Sequence, residues 1–569
     1  MLRTLNFAFG VLVAALAAWQ IGMLLQVWSI RATYPYDIEW MEGATLISAL
    51  RVTQGLPLYG MPEATYIPFI YPPLYAWVVG GLASIFPFGY TLGRVVSIVG
   101  TLTGAGALVF GARDAGARWP MAFGCAAIFL GTWEETGAFF DLVRIDGLSI
   151  ALIGWALVLA VGDTPRRAIA GGLMLALAFT CKHHAAALGF PIAAALWYRD
   201  GRAQALRFGL AAAIPALLFV IAMEIGTGGR FLLWLVEVPS RHGIVGDRFW
   251  PTVEVKSWSP FRHELSGAGL EVFAATPLLW LAAGGTAAIA IARDVRSAGL
   301  GGAVLRLFGG LGVVGALGNA ALLATPDLAR RGGGYVIEAL WSALAVIAVL
   351  VLLTMLARAR TPLAASRRFF YWTFTSMVGF AVISLMRGHV GGFTNVLIPM
   401  MWLQALWPAL LVRRAGEGVA GLTLSALVAG QIWLGHANYT KHIPTTADRQ
   451  QGDALIAELR ELPGPVLLTD APYYAVMAGH EPSFALIALW DISDKDCPPE
   501  AGTAVIRELL RQHYWKSGVF PDGKPGSGIE REYERVRKLK APGPRTFTGW
   551  AVKFRQVWGP KAETGRDQP

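Results

Sequence analysis

Apolar runs alternate with short polar breaks along most of this chain, near 5–28, 72–88, 94–112, 119–135, 147–162, 168–198, 206–223, 271–292, 304–323, 336–357, 369–386, 396–412 and 419–435. The first, Leu5–Trp28, holds no charged residue and exceeds the roughly 20 residues that cross a bilayer as a helix. Two runs are irregular. The segment 72–88 is short and flanked by proline, and 168–198 is overlong, with Lys182, His183 and His184 in its middle. The second reads as two half-helices meeting at a polar apex, which a bilayer tolerates where protein or water covers it. From His436 the pattern changes to that of a soluble domain. Helical spacing covers Ala447–Leu462, a turn and buried strand follow at 463–470, and Tyr473–Gly479 begins another helix. The predicted fold is an all-α polytopic membrane protein of about 13 transmembrane helices. Residues 1–435 form the membrane domain and 436–569 a small C-terminal α/β domain with a disordered polar end.

Composition agrees. The 569 residues are 55% hydrophobic and 15% charged, with mean hydropathy +0.49, against about 25% charged in soluble domains. The span after the weakly basic MLRT start is long and lacks a small-residue cleavage site, so it reads as a retained helix. The net charge of +10 comes largely from arginine clusters in short loops, such as Arg293/Arg296, Arg358/Arg360 and Arg413/Arg414. Those are cytoplasmic markers, and their dispersal argues against a nucleic-acid partner. They alternate with aromatic-rich loops at 225–270, 325–335 and 387–395, which group with 29–71 on one outer face. Cys125, Cys181 and Cys497 suggest neither a disulfide framework nor structural zinc.

Candidate chemistry begins at Tyr34–Gly43, YPYDIEWMEG, where Asp37, Glu39 and Glu42 follow the first span directly. Clustered acids outside a membrane helix offer a general base or a cation site; they also suit a helix N-terminus, where the dipole favours them. A short interfacial helix over GATLISALRVTQG follows, then LPLY and YIPFIYPPLY, a rigid tyrosine- and proline-rich platform.

These motifs resemble the GT-C glycosyltransferases. The residues concerned are the Asp37-Ile38-Glu39 acids after helix one, Glu42-Gly43, a helix ending in Gly55-Leu56-Pro57-Leu58-Tyr59, and Pro72-Pro73-Leu74-Tyr75. The match is to the bacterial branch, similar to protein O-mannosyltransferases and aminoarabinose transferases, and covers roughly residues 1–435. The commoner spelling has adjacent Asp-Glu, where this chain has Met41-Glu42-Gly43. The resemblance implies transfer of one sugar from a polyprenyl-phosphate donor to a hydroxyl of a glycan, lipid or protein, on the outer face of a bacterial inner membrane. A single displacement inverts the anomeric centre. Asp37 is the expected base, with Glu39 or Glu42 orienting it or sharing a cation, and Glu42 the alternative base. The leaving phosphate needs cations or a divalent metal such as Mg, Mn or Zn. LVRIDGL sets Arg144 and Asp146 before the span 147–162, a pair that also suits the capping of a helix end; the family pattern suggests Asp146 there, and His242 as a metal ligand beside Glu39.

Further candidates come from local chemistry. Lys182 lies in an apolar run, where an ionisable residue is functional by default, and suits a phosphate. Arg330 and Arg331 in ARRGGGYVIEALW, and Arg387, His389 and Asn395 in RGHVGGFTNVLIPMMW, precede helices with paired glycines that let a backbone approach a lipid phosphate. Two rival functions are a flippase for a lipid-linked sugar, which predicts acids within the bundle, and a non-catalytic envelope assembly subunit. A ligase using a diphosphate-linked polymer would favour Arg and His over carboxylates.

Overall fold

The computed structural model describes residues 1–243, 245, 252–255, 263–266, 271–272, 275–282, 364–415, 418–436, 439–493, 502–521, 525 and 528–562, and the geometry below is that of these residues. Helix α1 (Leu2–Ala32) is 31 residues long, about 46 Å at 1.5 Å per residue. It is therefore longer than a hydrocarbon core of roughly 30 Å requires. Then come α2 (Glu42–Thr53), α3 (Leu74–Leu82), α4 (Tyr90–Asp114), α5 (Trp119–Gly131), α6 (Asp146–Ala160), α7 (Pro165–Cys181), α8 (Gly189–Asp200) and α9 (Arg202–Gly226). Further on are α10 (Ala364–Gly388), α11 (Ile398–Ala405), α12 (Trp407–Ala415) and α13 (Val419–Leu434). Thr252–Val255 (β1) and His263–Ser266 (β2) pair antiparallel.

Five helices among the described residues are long and apolar enough to cross a membrane, or up to six if a bent pair is one span. The expected run at 72–88 yields only the nine-residue α3, about 14 Å long and too short to cross. The overlong run 168–198 divides as its polar middle suggests. Helix α7 stops at Cys181, Lys182 is extended at φ −147° and ψ 104°, and a 3-10 turn (His183–Leu188) leads into α8. The expected spans at 304–323 and 336–357, most of 271–292, and the polar end from 563 lie outside the described residues.

Small residues set the closest approach of one helix backbone to another among the described residues. A Cβ on Gly147 of α6 would stand 2.3 Å from the Ser97 carbonyl of α4, and one on Gly100 would stand 2.6 Å from the Gly147 backbone. Close backbone approach through glycine is how membrane helices gain dispersion energy where lipid offers no hydrophobic driving force. Ser97 Oγ also donates to the Arg144 carbonyl at 3.0 Å and Thr101 Oγ1 to that of Phe140 at 2.8 Å, so the segment before α6 is tied down along α4. On the other side Arg31 pairs with Asp141 at 2.5 Å, and Trp133 Nε1 donates to the same carboxylate at 2.9 Å.

The C-terminal part begins with α14 (Thr446–Arg460), opened by a capping box in which Thr445 and Asp448 satisfy each other's backbone N–H groups. Helices α15 (Pro472–Met477), α16 (Leu486–Asp491) and α17 (Ala504–Arg511) accompany a four-stranded sheet. Its order is β3 (Val466–Leu467), β4 (Ser517–Pro521), β6 (Phe554–Pro560), β5 (Tyr533–Lys538), with β3 and β4 parallel and the other pairs antiparallel. This part is clamped onto the acidic loop. The Tyr36 hydroxyl donates to Asp453, Phe547 N–H donates to the Ile38 carbonyl at 2.8 Å, and Glu39 and Thr548 form a parallel bridge.

Candidate active site

Asp37, Glu39 and Glu42 lie within one turn of chain yet meet three different environments. Glu42 opens α2 and is wholly buried. Arg94 grips it in a fork, Nε to Oε1 at 2.9 Å and Nη2 to Oε2 at 2.7 Å. The N–H groups of Val143 (2.8 Å) and Ile38 (2.7 Å) take the remaining lone pairs. Burial alone would raise this carboxyl, but the Arg94 charge and these bonds outweigh it and hold it below the usual range. Arg94 also donates to the carbonyls of Arg31, Tyr34 and Tyr36. The pair is a staple that folds the acidic loop back onto α4.

Asp37 caps α2. Its Oδ1 accepts from Gly43 N–H at 2.8 Å, satisfying one orphan donor of the helix start, and its own N–H donates to the Tyr474 hydroxyl at 3.0 Å. Its Oδ2 and the nearby Tyr90 hydroxyl make no well-formed hydrogen bond among the described residues. Burial first, then the Glu42 charge, push this carboxyl well above its ordinary value. Gly43 faces Asp37, Tyr90 and Tyr473. Thr45, two residues on and so about 200° around the helix, lines a pocket with Ser48, Tyr66, Tyr71, Tyr75 and Arg144. Asp37 and that pocket therefore lie on opposite sides of α2.

Glu39 does not line that pocket but pairs with Arg144, which does. Its Oε2 accepts from Met41 N–H at 3.2 Å and stands 3.6 Å from Arg144 Nη1. Burial, opposed by Arg144 and reinforced by Glu42, brings its carboxyl up to about 7. Beyond Arg144 come three of the expected residues, brought together from distant segments. Lys182 Nζ donates to Asp146 Oδ1 at 2.7 Å, and Asn395 Nδ2 reaches both oxygens of Asp146 at 3.1 Å. The fold explains the meeting. The Gly147–Ser97 contact fixes the start of α6, the break after α7 releases Lys182 from helical geometry, and Asn395 sits in a 3-10 turn (Thr394–Leu397). Tyr71 lies within electrostatic reach of Arg144, Lys182, Asp146 and Asp491.

Other expected residues fall elsewhere. Arg387 holds Glu271 in a fork at 2.7 and 3.0 Å and donates to the Gly392 carbonyl at 2.6 Å, bracing its glycine turn. The His389 ring lies 5.2 Å from that of His242, and His242 Nε2 is 3.0 Å from the Asp491 carbonyl. Arg330 and Arg331 lie outside the described residues. The expected metal pair, Glu39 and His242, have separate partners, Arg144 for one and Asp491 for the other. No group of three or more His, Cys, Asp or Glu side chains able to hold a metal occurs among the described residues. Glu42, Glu39, Asp146 and Glu271 each face an arginine or lysine.

Two residues enter without a sequence signal of their own. Asp491, whose carboxyl burial raises to about 8, comes from the C-terminal part. Tyr71 was visible only as one tyrosine among several. Arg144 did carry a signal, in the LVRIDGL stretch before α6.

No family model matches this chain, and no curated protein does. Among solved structures it is similar to ArnT from Cupriavidus metallidurans bound to undecaprenyl phosphate, at 14% identity and TM-score 0.46, over 97% of this chain and 99% of that one. The apo state of the same protein gives 14% identity and TM-score 0.45 over the same shares.

Proposed function

We propose that this chain is an integral membrane glycosyltransferase, moving one sugar from a polyprenyl-phosphate donor to a hydroxyl of a glycan, lipid or protein at the outer face of a bacterial inner membrane. The observation that carries the reading is Glu39. It is buried, its carboxyl is brought up to about 7, and it stands 3.6 Å from Arg144, which lines an aromatic pocket. A base is most effective when its pKa lies near the working pH. Glu39 takes the proton of the acceptor hydroxyl as that oxygen forms its bond to the anomeric carbon. The bond from that carbon to the donor phosphate oxygen breaks, and the lipid phosphate leaves with the electron pair. Arg144, with Lys182 behind it, meets the growing negative charge, the task cations perform in phosphoryl-leaving reactions. Attack opposite the leaving group inverts the anomeric centre.

The motifs of the first loop support this reading. Asp37 and Glu42 support the loop as cap and staple. The test is transfer from radiolabelled polyprenyl-phosphate sugars to membrane glycan acceptors by purified protein in lipid. Glu39→Gln is expected to lower turnover by about 10²–10⁴-fold, while loss of its looser 3.6 Å pair with Arg144 lowers the thermal midpoint less than Glu42→Gln does. A wild type that consumes no donor across a broad panel, or a Glu39→Gln variant as active as wild type, would overturn the proposal. The flippase or assembly-subunit reading would then lead.

A further inference from the structure

Helix α9 is 25 residues long, about 38 Å at 1.5 Å per residue, and most of its apolar surface is exposed. It is a lipid-facing span with Arg202 and Arg207 near its start and Glu224 in its last turn. Basic ends stay cytoplasmic, so the Glu224 end comes out at the outer headgroup level. Exposed Leu210, Ile214, Leu217 and Ile221 lead up to Glu224 at spacings of four and three, on one face of the helix. Gly228 (φ +59°) and Gly229 (φ +84°) then turn the chain back. Residues Arg230–Leu232 run into a π-helical turn, Leu233–Glu237, a rare geometry that gathers at functional sites. Glu224 Oε2 accepts from Leu232 N–H at 2.8 Å and Thr227 Oγ1 from Phe231 N–H at 2.9 Å, which ties the turn to the span. Trp234 Nε1 donates to the Gly60 carbonyl at 2.9 Å. The turn and Met61 thereby line a groove of about 1110 Å³ that opens to solvent.

The groove joins apolar side chains, Leu232, Leu233 and Val236, to three charged ones, Glu224, Arg230 and Glu237. Their own contacts are slight. Glu237 stands 3.9 Å from Arg241, both half exposed, and Arg230 Nη1 reaches the Thr227 carbonyl at 3.5 Å. We propose that this groove holds a phospholipid whose headgroup carries a primary amine, of the phosphatidylethanolamine type. Its phosphate meets Arg230, its ammonium donates to Glu224 and Glu237, and an acyl chain follows the Leu217–Ile221 stripe of α9. Continuity with that stripe favours a lipid over a soluble molecule, and charge chooses among lipids. An anionic headgroup without an amine would set its phosphate against two carboxylates. A choline headgroup has no N–H for a carboxylate and is best held by an aromatic cage. No aromatic ring lines the groove among the described residues. The groove shares no lining residue with the pocket that holds Arg144, and the inference does not depend on the transfer reading.

The experiment uses the full-length protein in nanodiscs of mixed phosphatidylethanolamine, phosphatidylcholine and phosphatidylglycerol. Wild type is compared with Arg230→Gln and with the double variant Glu224→Gln/Glu237→Gln. Glutamine at 224 keeps a carbonyl for Leu232 N–H, so the turn stays formed. The protein is released into mild detergent, and native mass spectrometry counts the lipids that remain bound. Wild type is expected to retain the amine lipid about tenfold over the choline lipid at equal supply. Retention should step down through the mono- and dimethylated headgroups as N–H donors are lost. The double variant should lose the preference for the amine, and Arg230→Gln should weaken retention of amine and choline lipids alike. Equal retention of these two lipids by wild type overturns the proposal. So does a preference for phosphatidylglycerol, which would leave Arg230 as an unselective phosphate contact. A preference that survives in the double variant also overturns it, by putting the amine lipid elsewhere on the protein. Every readout is lipid binding, so a protein that transfers no sugar still decides the question.

Discussion

Three neighbouring carboxyl groups with one chemistry in sequence acquire three tasks from their partners. Glu42 answers to Arg94 with every lone pair used. Removing one partner of such a buried pair leaves the other uncompensated and costs about 3–5 kcal/mol. Glu42→Gln is therefore expected to lower the thermal midpoint sharply in a fluorescence melt, whereas Asp37→Asn, which keeps a carbonyl for Gly43 N–H, should lower it little. Glu39 predicts a pH profile. Its folded carboxyl titrates at about 7 because burial raises it and Arg144 opposes the rise. The basic form is lost as pH falls through that value, so kcat/KM should climb with pH across about 7. In Arg144→Met the opposing charge is gone, and the ascending limb should move to higher pH. A limb that stays in place would remove Arg144 from the role given to it here. The position of the acids was legible in the chain because they follow an unbroken apolar span. Their division of labour was not, since Arg94 and Arg144 are separated from them by 52 and 105 residues.

At the scale of elements, two breaks in regularity do the positioning. The interruption after α7 was visible as charged residues in an apolar run, and it is what lets Lys182 reach Asp146. The α4–α6 contact was harder to read, because glycine is common in membrane helices and only the fold tells which of 66 meets a backbone. Gly147→Ala tests that contact. With 2.3 Å to the Ser97 carbonyl, a methyl must part α4 from α6 and carry Asp146 away from Lys182 and Asn395. Overpacking of this kind costs typically about 1–3 kcal/mol. The melt should fall accordingly, and transfer should fall further than the melt explains. The short α3 misled the sequence pattern for a related reason. Periodicity marks it as apolar without revealing that its helix ends after nine residues.

For the whole molecule, the important relation is between the acidic loop and the part of the chain beyond residue 435. Sequence pattern distinguishes the two by composition, but nothing in it indicates that Tyr474 would bond the backbone of Asp37 or that Thr548 would pair with Glu39. Non-local pairing of this sort leaves no periodic trace. Gly549→Ala is the direct probe. Its positive φ already disfavours any other residue, and the added methyl would strike Glu39 and Trp40. The expected result is a loss of transfer with the melt of the membrane helices preserved. Normal activity in this variant would show that the clamp on Glu39 is dispensable.

That clamp also has a consequence in time. Asp37, Glu39 and Glu42 are made before Phe547 and Thr548, with much of the chain between them, so a nascent chain carries its acids through that interval without the segment that pairs with them. Burial is what brings Glu39 to its working range, and without its cover it is an ordinary surface carboxylate, ionised and weakly basic. Closure of the loop therefore waits on the segment around Phe547, and any chemistry that needs a buried Glu39 waits with it.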